Sequence, residues 1–572
     1  MSVRSARRKR WDLRDPAPPE FVRATGLSPL LATLLYSRDQ RDPDAVAAFL
    51  SPELRGGLHD PMLMKGMPEA SARIARAVRE GEPMAVYGDF DTDGVTAVAL
   101  LVQAISAMGG RIRPYIPHRT REGYGLNNLA IGQLAEDGVR LLITVDCGIS
   151  NAAEVAEAMR LGLDVIVTDH HHPPAVLPQA LAVVNPKQPG CPYPFKDLVG
   201  VGIAYKLVQA LVRQGLSLGG LRGRDLLDVV ALGTITDMGP IRGENRVLVK
   251  AGLEAINTSE RPGLKALIEA AGLTRGKVTS TDVAFMLGPR INAAGRLDDA
   301  VLAYKLLLAS DYASARQFAQ ELNQANRERQ DLTKRVQAAA KEQAEAEGRH
   351  TRPIVVLAGE AFPAGVVGLV AGKLVEEWGR PVLLIERGET QSRGSARSVP
   401  GFSIIEALTS CKELFVRFGG HSAAAGFTID NANIPVLEER LLALAEERLT
   451  DEMLQPAITI DAQVSLNELG WGLMDELKRL EPFGQANPQP TLMSTGVQVV
   501  DARPRGADGQ HLRLLLHDGG QTYEAIAFRL GHLAEAVRRH PRLDVAYSFE
   551  DDEWNGERRL QLNIKDFRRA TA

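Results

Sequence analysis

The sequence predicts an α/β protein in which a parallel-sheet domain, a long helix, a second α/β domain and a small β-barrel follow one another. Three observations predict this order. Strand-like and helix-like segments alternate between residues 83 and 168, a charged stretch rich in Ala and Gln runs from 311 to 347, and five strand-like segments follow residue 490. At ~100–200 residues per domain, a chain of 572 residues is long enough for three or four domains.

The first α/β region is predicted from short apolar strands that alternate with helices. "PMAVYG", "VRLLITV" and "LDVIVT" are typical of strands, whereas "VTAVALLVQAISAM" and "SNAAEVAEAMRLG" are typical of helices. Short loops between them favour right-handed βαβ units and a buried parallel sheet. Two amphipathic helical stretches, at 27–50 and 70–79, precede this region.

The second half of the chain is predicted to contain a spacer helix, another α/β region and a barrel. The stretch 311–347 lacks a sustained heptad, so we expect a solvated helix and a monomer. "PIVVLAG" and "RPVLLIE" predict strands of the second α/β region. The last five strand-like segments fit a small barrel, for which an OB-fold is one candidate: "GVQVVDARPR", "HLRLLLHD", "YEAIAFR", "LDVAYSFEDD" and "RRLQLNIKDFR".

Composition excludes a globally basic nucleic-acid binder, because the net charge is only -4. Any nucleic acid would have to be held by a local basic groove. Cys147, Cys191 and Cys411 lack the spacing of a metal site or a redox pair, which favours a reducing, cytoplasmic location. The longest nearly apolar run, Val95 to Met108, is too short for a bilayer and predicts a buried helix.

The strongest chemical signal is a run of three carboxylates in "YGDFDTDGVTA". Asp89, Asp91 and Asp93 alternate directly after a predicted strand, and extended backbone would place all three on one side. Carboxylates this close repel one another unless a cation neutralises them. Gly94 would let the chain turn into the following helix.

Two further strand ends and one apolar segment carry the same chemistry. Asp146 follows "LLITV", residues 169–172 (Asp-His-His-His) follow "DVIVT", and Asp237 follows the apolar "ALGTIT". Ligands of parallel sheets gather outside the carboxyl ends of strands. A single Asp after a strand is usually a helix cap, and a lone His is usually structural, but acids or histidines at three successive strand ends indicate a metal site.

The residue types indicate which cation and which reaction. Carboxylates favour Mg²⁺ and Mn²⁺, and an imidazole tilts the preference towards Mn²⁺. Four or five carboxylates exceed the need of one ion, so we expect two divalent ions ~3.5–4 Å apart. The chemistry of such a pair is the hydrolysis of a phosphate ester or anhydride.

These residues resemble the DHH phosphoesterase superfamily, whose name-giving motif is present as Asp169-His170-His171. Within it, the chain is similar over nearly its whole length to bacterial exonucleases specific for single-stranded DNA. The matching motifs occur in the same order: "GDFDTDGVT", "IPHRTREGYGL", "TVDCGIS", "VTDHH", "VNPKQPGCPYP", "LVGVGIAYKL", "GTITDMGPIRGENR", "GPRINAAGRLDDA", "GVVGLVAGKL", "GSARS", "FGGHSAAAGF", "LEPFGQANPQP" and "LQLNIKDFR".

The resemblance implies a 5′→3′ exonuclease that hydrolyses single-stranded DNA by two-metal-ion catalysis in recombination and repair. A single-strand binding protein and a helicase are the partners it implies. It also implies five regions, with the OB-fold closing a narrow passage: an N-terminal helical segment (1–75), a DHH catalytic domain (76–310), a connecting helix (311–349), a DHH-associated (DHHA1) domain (350–452) and an OB-fold nucleic-acid-binding domain (453–572).

The resemblance also assigns roles to residues. Asp146 is expected to bridge two metals, while Asp89 and His171 lie beside the metals and His171 supports the scissile phosphate or the leaving group. The implied metal ligands are Asp91, Asp93, Asp146, His170 and Asp237. The implied DNA contacts are Arg119, Arg290, Asn292 and Arg296, together with a pocket for the 5′ end that contains Ser395, Arg397 and His421. The small residues of "INAAG" would let a strand of DNA approach the backbone, and Ser395 and Arg397 fall in a predicted loop between apolar segments.

Some features leave alternatives open. Tyr124 and Phe402 are candidates for stacking on bases or for the core. Phe362-Pro363-Ala364 replaces the Trp-His usual before "GVVG", and Ala486 replaces a usual glycine in a turn. An enzyme for small phosphates would not need the C-terminal domain, and a non-catalytic DNA-binding scaffold would not need the retained acids.

Overall fold

The computed structural model describes residues 6, 9–119, 121–297, 299–554 and 557–570. The chain forms two compact units. The first comprises residues 38–327 and 479–489, and the second comprises residues 1–37, 328–478 and 490–572. The elements that precede the first unit are β1 (Arg10–Leu13), α1 (Pro19–Thr25) and α2 (Pro29–Tyr36).

The first unit is built on a five-stranded, wholly parallel sheet with the strand order β3-β2-β4-β5-β6. Its strands are β2 (Pro83–Gly88), β3 (Arg111–Tyr115), β4 (Leu141–Val145), β5 (Asp164–Thr168) and β6 (Ala182–Val184). Its helices are α3 (Pro43–Leu50), α4 (Leu54–Gly57), α5 (Met67–Glu80), α6 (Thr92–Ala107), α7 (Asn128–Glu136), α8 (Ala152–Arg160), α9 (Gly200–Arg213), α10 (Leu227–Thr236), α11 (Gly243–Thr258), α12 (Pro262–Ala270), α13 (Ser280–Asp282), α14 (Gly288–Leu297), which follows a π-helical turn (Val283–Leu287), and α15 (Val301–Leu307).

Apolar cores cover both faces of this sheet, as the continuous apolar strands predict. Ile143 and Ile166 belong to one buried cluster, whereas their neighbours Leu142 and Val165 belong to another. The first of these clusters also contains most of α6, which is the buried helix expected from its apolar sequence. In the part of the chain that the structure describes, no helix has the length and apolar character needed to cross a bilayer.

The predicted spacer helix is α16 (Tyr312–Ala346), whose residues up to 327 belong to the first unit. The second unit then contains a mixed sheet with the order β10-β11-β9-β8-β7. Its elements are β7 (Val355–Gly359), α17 (Ala364–Trp378), β8 (Val382–Glu386), β9 (Gln391–Arg397), α18 (Ile404–Thr409), β10 (Phe415–Gly420), β11 (Ala424–Asp430), α19 (Ile434–Arg448) and α20 (Asp451–Leu454).

The last elements form a closed barrel, in which β14 pairs with both β15 and β17. All five strands predicted for this region are present, and buried residues alternate with more exposed ones along β15, whereas residues 543–549 of β17 are buried throughout. The elements are β12 (Ala457–Ile460), which pairs with β1, β13 (Ala462–Gln463), α21 (Trp471–Lys478), β14 (Leu492–Arg505), β15 (His511–Asp518), β16 (Gln521–Ala527), α22 (Ala534–Arg539), β17 (Arg542–Trp554) and β18 (Glu557–Arg569).

Candidate metal centre

Three acids directly follow three neighbouring strands of the parallel sheet. Asp89 follows β2, Asp146 follows β4 and Asp169 follows β5, and these strands are adjacent in the sheet. Because parallel strands end at one edge, the chain delivers all three side chains to one crevice. The backbone of Asp146 lies in the left-handed region at φ 59°, which a non-glycine residue adopts at a cost of about 1–2 kcal/mol.

The extended arrangement expected for the first three carboxylates was wrong. Asp91 caps α6, where its Oδ1 accepts hydrogen bonds from the backbone N–H groups of Asp93 (2.9 Å) and Gly94 (3.2 Å). Asp93 therefore lies in the first helical turn, because capping by Asp91 starts the helix before it. Gly94 does not serve as a left-handed turn residue: a Cβ there would lie 2.5 Å from the carbonyl oxygen of Asp89, so the glycine permits close packing.

Asp93 is held by the N-terminal backbone of α9. Its Oδ2 accepts from the N–H of Gly200 (2.6 Å) and its Oδ1 accepts from the N–H of Val201 (2.7 Å). A Cβ atom added at Gly200 would lie 2.7 Å from Cβ of Asp146 and 2.9 Å from Oδ2 of Asp93. Sequence reasoning did not identify Gly200 as a site residue, and its only signal is its place in "LVGVG".

His170 joins the acids from different elements. Its Nε2 lies 3.0 Å from Oδ1 of Asp146, and 3.7 Å from a carboxylate oxygen of both Asp93 and Asp237. Asp237 follows helix α10 and caps its C-terminus. Its side chain thus reaches the crevice from a helix end, while the other acids come from strand ends or from α6.

The site contains buried polar atoms that the described residues leave without a hydrogen bond. These atoms are Oδ1 of Asp89, Oδ1 of Asp146 and Nε2 of His170, even though the last two are close to each other. Three sets of potential ligand atoms each lie within 4.8 Å of one another: Asp89, Asp91 and Asp146; Asp93, His170 and Asp237; and Asp146, His170 and His171. Oxygen-rich sets with one imidazole and unpartnered buried atoms fit hard divalent cations.

The pKa values of the buried acids also favour a bound cation. Burial and the neighbouring carboxylates raise the pKa of Asp89, Asp146 and Asp237 well above the ordinary range, and they raise the pKa of Asp93 to about 7. Burial and the adjacent imidazoles lower the pKa of His170 to about 3, so that its imidazole is neutral. A bound cation would allow these acids to ionise together.

His171 has a different environment from His170. Its Nδ1 lies 2.7 Å from Oδ1 of Asp169, which also accepts from the backbone N–H of His171. Burial opposes the charge on the ring, but this carboxylate raises the pKa of His171. Asp169 thus orients His171, and its Oδ2 also accepts from the N–H of Ile149 (3.0 Å).

Tyr124 and Arg119 line the same crevice. Tyr124 is about half exposed, and its ring meets that of His171 edge to face with centroids 5.9 Å apart, so it is not a core residue. The guanidinium of Arg119 lies 4.9 Å from the ring of Phe90. Burial lowers the pKa of Arg119, while the charges of Asp89 and Asp91 oppose this.

The predicted DNA-contact helix, α14, packs directly on residues 90–92, beside Asp91. Oδ1 of Asn292 accepts from both the N–H and the hydroxyl of Thr92, each at 2.9 Å. A Cβ at Gly295 would lie 2.4 Å from the carbonyl oxygen of Phe90. The small residues of "INAAG" were expected to let DNA approach, but they let α14 approach protein instead, and Arg290 donates to the carbonyl of Met286 (2.6 Å).

The candidate 5′-end residues lie in the second unit. Ser395 and Arg397 were expected in a loop, but both belong to β9, which pairs with β8 and β11 on its two sides. Nη1 of Arg397 donates to Oγ of Ser395 (2.9 Å), and Gly368 of α17 leaves the space that both side chains occupy. Burial lowers the pKa of Arg397. His421 is exposed in the turn between β10 and β11.

The departures from the family pattern have local explanations. Phe362 is buried in the core beside α17, and Pro363 caps that helix. Ala486 adopts a left-handed backbone with φ 60°, the conformation for which glycine is the usual residue.

Phe402, a candidate either for stacking on bases or for the core, is buried, so it is a core residue.

Comparisons with known proteins place this geometry in a class. Three family models match the chain: the N-terminal domain of the DHH family over residues 83–234, the DHHA1 domain over residues 351–451 and the RecJ OB domain over residues 460–566. A parallel-sheet domain with clustered acids, a mixed-sheet domain and a barrel thus define a DHH hydrolase.

Similarity to individual proteins narrows the class. The chain is 37% identical over 566 residues to the single-stranded-DNA-specific exonuclease RecJ of Bacillus subtilis, covering 98% of this chain and 71% of that protein. It also matches crystal structures of RecJ from Thermus thermophilus in complex with Mn²⁺ (TM-score 0.84, 34% identity, 98% of this chain and 80% of that one) and with Mg²⁺ (TM-score 0.78, 31% identity, 98% and 79%).

The chain belongs to the RecJ family of single-stranded-DNA-specific exonucleases. The fold class, the hydrolase class and the three named domains predicted from the sequence are thereby confirmed. The expected cofactor, Mn²⁺ or Mg²⁺, agrees with the ions in the Thermus structures and with the oxygen-rich ligand sets described above.

Proposed function

We propose that this chain removes nucleotides from single-stranded DNA in the 5′→3′ direction, by hydrolysis that uses two divalent ions, Mn²⁺ or Mg²⁺. The observation that carries the proposal is the convergence of seven side chains at one site, where three of their buried atoms have no hydrogen-bond partner among the residues that the structure describes. Asp146 is common to two of the three potential ligand sets, which suits a carboxylate shared by two ions. Membership of the RecJ family and the barrel domain support DNA as the substrate.

The proposed metal ligands are Asp91, Asp93, Asp146, His170 and Asp237. When bound, two ions would supply the charge that activates a water molecule and neutralises the phosphoryl oxygens. The two N–H groups of α9 hold the carboxylate of Asp93 in place. Asp89 lies in the same set of potential ligand atoms as Asp91 and Asp146.

The protein supplies a proton beside the metal ligands. Asp169 holds the ring of His171 and raises its pKa, which favours the protonated form of the imidazole. The Tyr124 hydroxyl lies 3.3 Å from the same Nδ1 of His171 that faces Asp169. We assign to His171 the support of the scissile phosphate and the donation of a proton to the leaving oxygen.

We assign the DNA contacts to cationic and amide side chains in both units. Arg119, Arg290, Asn292 and Arg296 belong to the unit with the metal centre, while Ser395, Arg397 and His421 belong to the other unit. A guanidinium that has lost part of its hydration, like that of Arg397, binds phosphate strongly through paired hydrogen bonds. The pocket around Ser395 and Arg397 is the proposed site for the 5′ end.

The proposed cellular role is recombination and repair, in which a helicase and a single-strand binding protein supply the substrate. We propose a monomer, with five regions at 1–75, 76–310, 311–349, 350–452 and 453–572.

End-labelled digestion tests the function. Oligonucleotides labelled at the 5′ or the 3′ end are incubated with the full chain and Mn²⁺. We expect the 5′ label to be released as mononucleotide at once, while the 3′ label stays on progressively shorter strands and duplex DNA persists. The reverse pattern would contradict the polarity, and persistence of both single strands would contradict the activity.

A catalytic variant separates hydrolysis from DNA binding. Asp146→Ala should lower the rate at least 1,000-fold, since it removes the shared ligand, while the affinity for single-stranded DNA in EDTA changes little. Retained hydrolysis in this variant would exclude the role given to Asp146.

A further inference from the structure

Residues 479–489, here called the strap, contact the metal-centre unit from a distant part of the sequence. They lie within the region that matches the RecJ OB domain, yet they pack with residues 38–327 as part of the first unit. The strap contains the motif "LEPFGQANP", to which neither the catalytic nor the DNA-binding assignments give a role.

A buried arginine anchors one end of the strap. Arg246 of α11 is about 1% exposed, and its guanidinium donates to the carbonyls of Leu480 (3.0 Å) and Glu481 (2.8 Å) and to that of Phe49 (2.8 Å). Its guanidinium also lies 3.8 Å from the centroid of the Phe49 ring. Burial and the charge of Arg38 lower the pKa of Arg246 to about 10, so it stays charged among these carbonyls.

A buried amide fixes the shape of the strap. The side-chain NH₂ of Asn487 donates to the carbonyls of Leu480 (2.9 Å) and Pro482 (2.8 Å), and its Oδ1 accepts from Nε of Arg38 (2.8 Å). The backbones of Gly484 and Asn487 also exchange two hydrogen bonds. The strap is therefore a closed turn, tied to itself and to the first unit.

The tip of this turn holds the loop that carries Asp237. The N–H of Ile241 donates to the carbonyl of Gln485 (2.7 Å), and a Cβ at Gly484 would lie 2.8 Å from Cγ1 of Ile241. Ile241 is buried and lies four residues after Asp237. The N–H of the intervening Gly239 donates to the carbonyl of Thr234 (2.9 Å), so the backbone between Ile241 and Asp237 has little freedom to move.

The strap also contacts the segment that leads into α14. The hydroxyl of Ser280 donates to the carbonyl of Phe483 (2.7 Å). Ser280 begins the segment that continues through the π-helical turn into α14, where Oδ1 of Asn292 accepts a hydrogen bond from Thr92, between Asp91 and Asp93. The strap thus contacts both the loop that carries Asp237 and the segment that leads to Asn292.

We propose that the strap is a positioning element of the metal centre: through its contact with Ile241 it sets the position of Asp237, and Arg246 holds the strap in place. This inference rests on the proposed function, in which Asp237 is a metal ligand. Groups outside the first ligand shell commonly change metal affinity 10–100-fold, which is the effect that loss of this support should have.

The test is a titration of the full chain with Mn²⁺, in which electron paramagnetic resonance measures the free ion without any DNA. Gly484→Ala would push Ile241, so we expect the dissociation constant for Mn²⁺ to rise about 10-fold. Gly472→Ala is the matched control, because a Cβ at Gly472 meets nothing within 4 Å. Arg246→Lys keeps the charge but not the fork of donors, and it should weaken Mn²⁺ binding in the same direction.

Combination with Asp237→Ala identifies the route of the effect. Once this ligand is gone, Gly484→Ala should weaken Mn²⁺ binding no further. An equal additional loss would overturn the inference, as would unchanged binding in Gly484→Ala or, should that variant not fold, in folded Arg246→Lys. If Asp237→Ala itself leaves Mn²⁺ binding unchanged, the proposed metal site fails, which is a different result from failure of the strap alone.

Discussion

The metal-free protein should lose stability as pH rises from about 4 to 7, because the fold keeps Asp93 protonated. Asp93 is fully buried, and burial with the neighbouring Asp91 raises its pKa from 3.8 to about 7. Below pH 4 the carboxyl is protonated in both the folded and the unfolded chain. Between pH 4 and 7 only the unfolded chain releases the proton, so the unfolded state is favoured progressively.

The difference between the two pKa values sets the size of the effect. At 1.36 kcal/mol per pKa unit, the folded chain loses at most about 4 kcal/mol across this range through Asp93 alone. The raised pKa of His171 also makes stability fall with rising pH, and Asp93 is one of the charges that raise it. A comparison with Asp93→Asn, which is nearly isosteric, therefore measures the contribution of the Asp93 carboxyl together with its effect on His171.

The assay is urea unfolding in EDTA at several pH values, followed by circular dichroism. We expect the free energy of unfolding to fall more steeply with pH in the natural chain than in Asp93→Asn. Saturating Mn²⁺ should remove the fall in the natural chain, because the cation binds the ionised carboxylate. Parallel curves for the two proteins in EDTA would refute the electrostatic reasoning.

Three further substitutions test separate parts of the site. Gly200→Ala should weaken Mn²⁺ binding about 10-fold or more in calorimetry, because the new Cβ collides with Asp146. Gly132→Ala is the control and should not change Mn²⁺ binding, because a Cβ at Gly132 meets none of the described atoms within 4 Å. Asp169→Asn should lower the pKa of the neighbouring His171 in a nuclear magnetic resonance titration, and an unchanged pKa would exclude that carboxylate as its cause. Ala486→Gly should raise the free energy of unfolding by about 0.5–1 kcal/mol, because its φ of 60° suits glycine, and a loss of stability would contradict this.

The strand-end acids could be predicted because parallel sheets obey a simple rule. Hydrophobic runs located β2, β4 and β5, and the rule that ligands lie beyond carboxyl ends then brought Asp89, Asp146 and Asp169 together. Asp91 and Asp93 each belong to one of the potential ligand sets, but their backbone differs from the extended one that the sequence predicted. A carboxylate that precedes a helix caps it, and this local hydrogen bonding overrode the extended arrangement.

Contacts between distant segments could not be predicted. Gly200 lies 107 residues from Asp93, and no periodicity in one sequence announces that its N–H faces that carboxylate. The small residues of α14 signal a close approach, but not whether DNA or the carbonyl of Phe90 is the partner. "GSARS" is small and polar like a loop, yet Ser395 is paired on both sides within a sheet, which supplies the hydrogen bonds that its composition does not reveal.

The most direct test of the two-ion site is a crystal structure with Mn²⁺, in which anomalous scattering locates the ions. We expect two peaks about 3.5–4 Å apart, on either side of the Asp146 carboxylate, with Asp237 and His170 in contact with one of them. A single peak, or two peaks that do not share Asp146, would contradict the account.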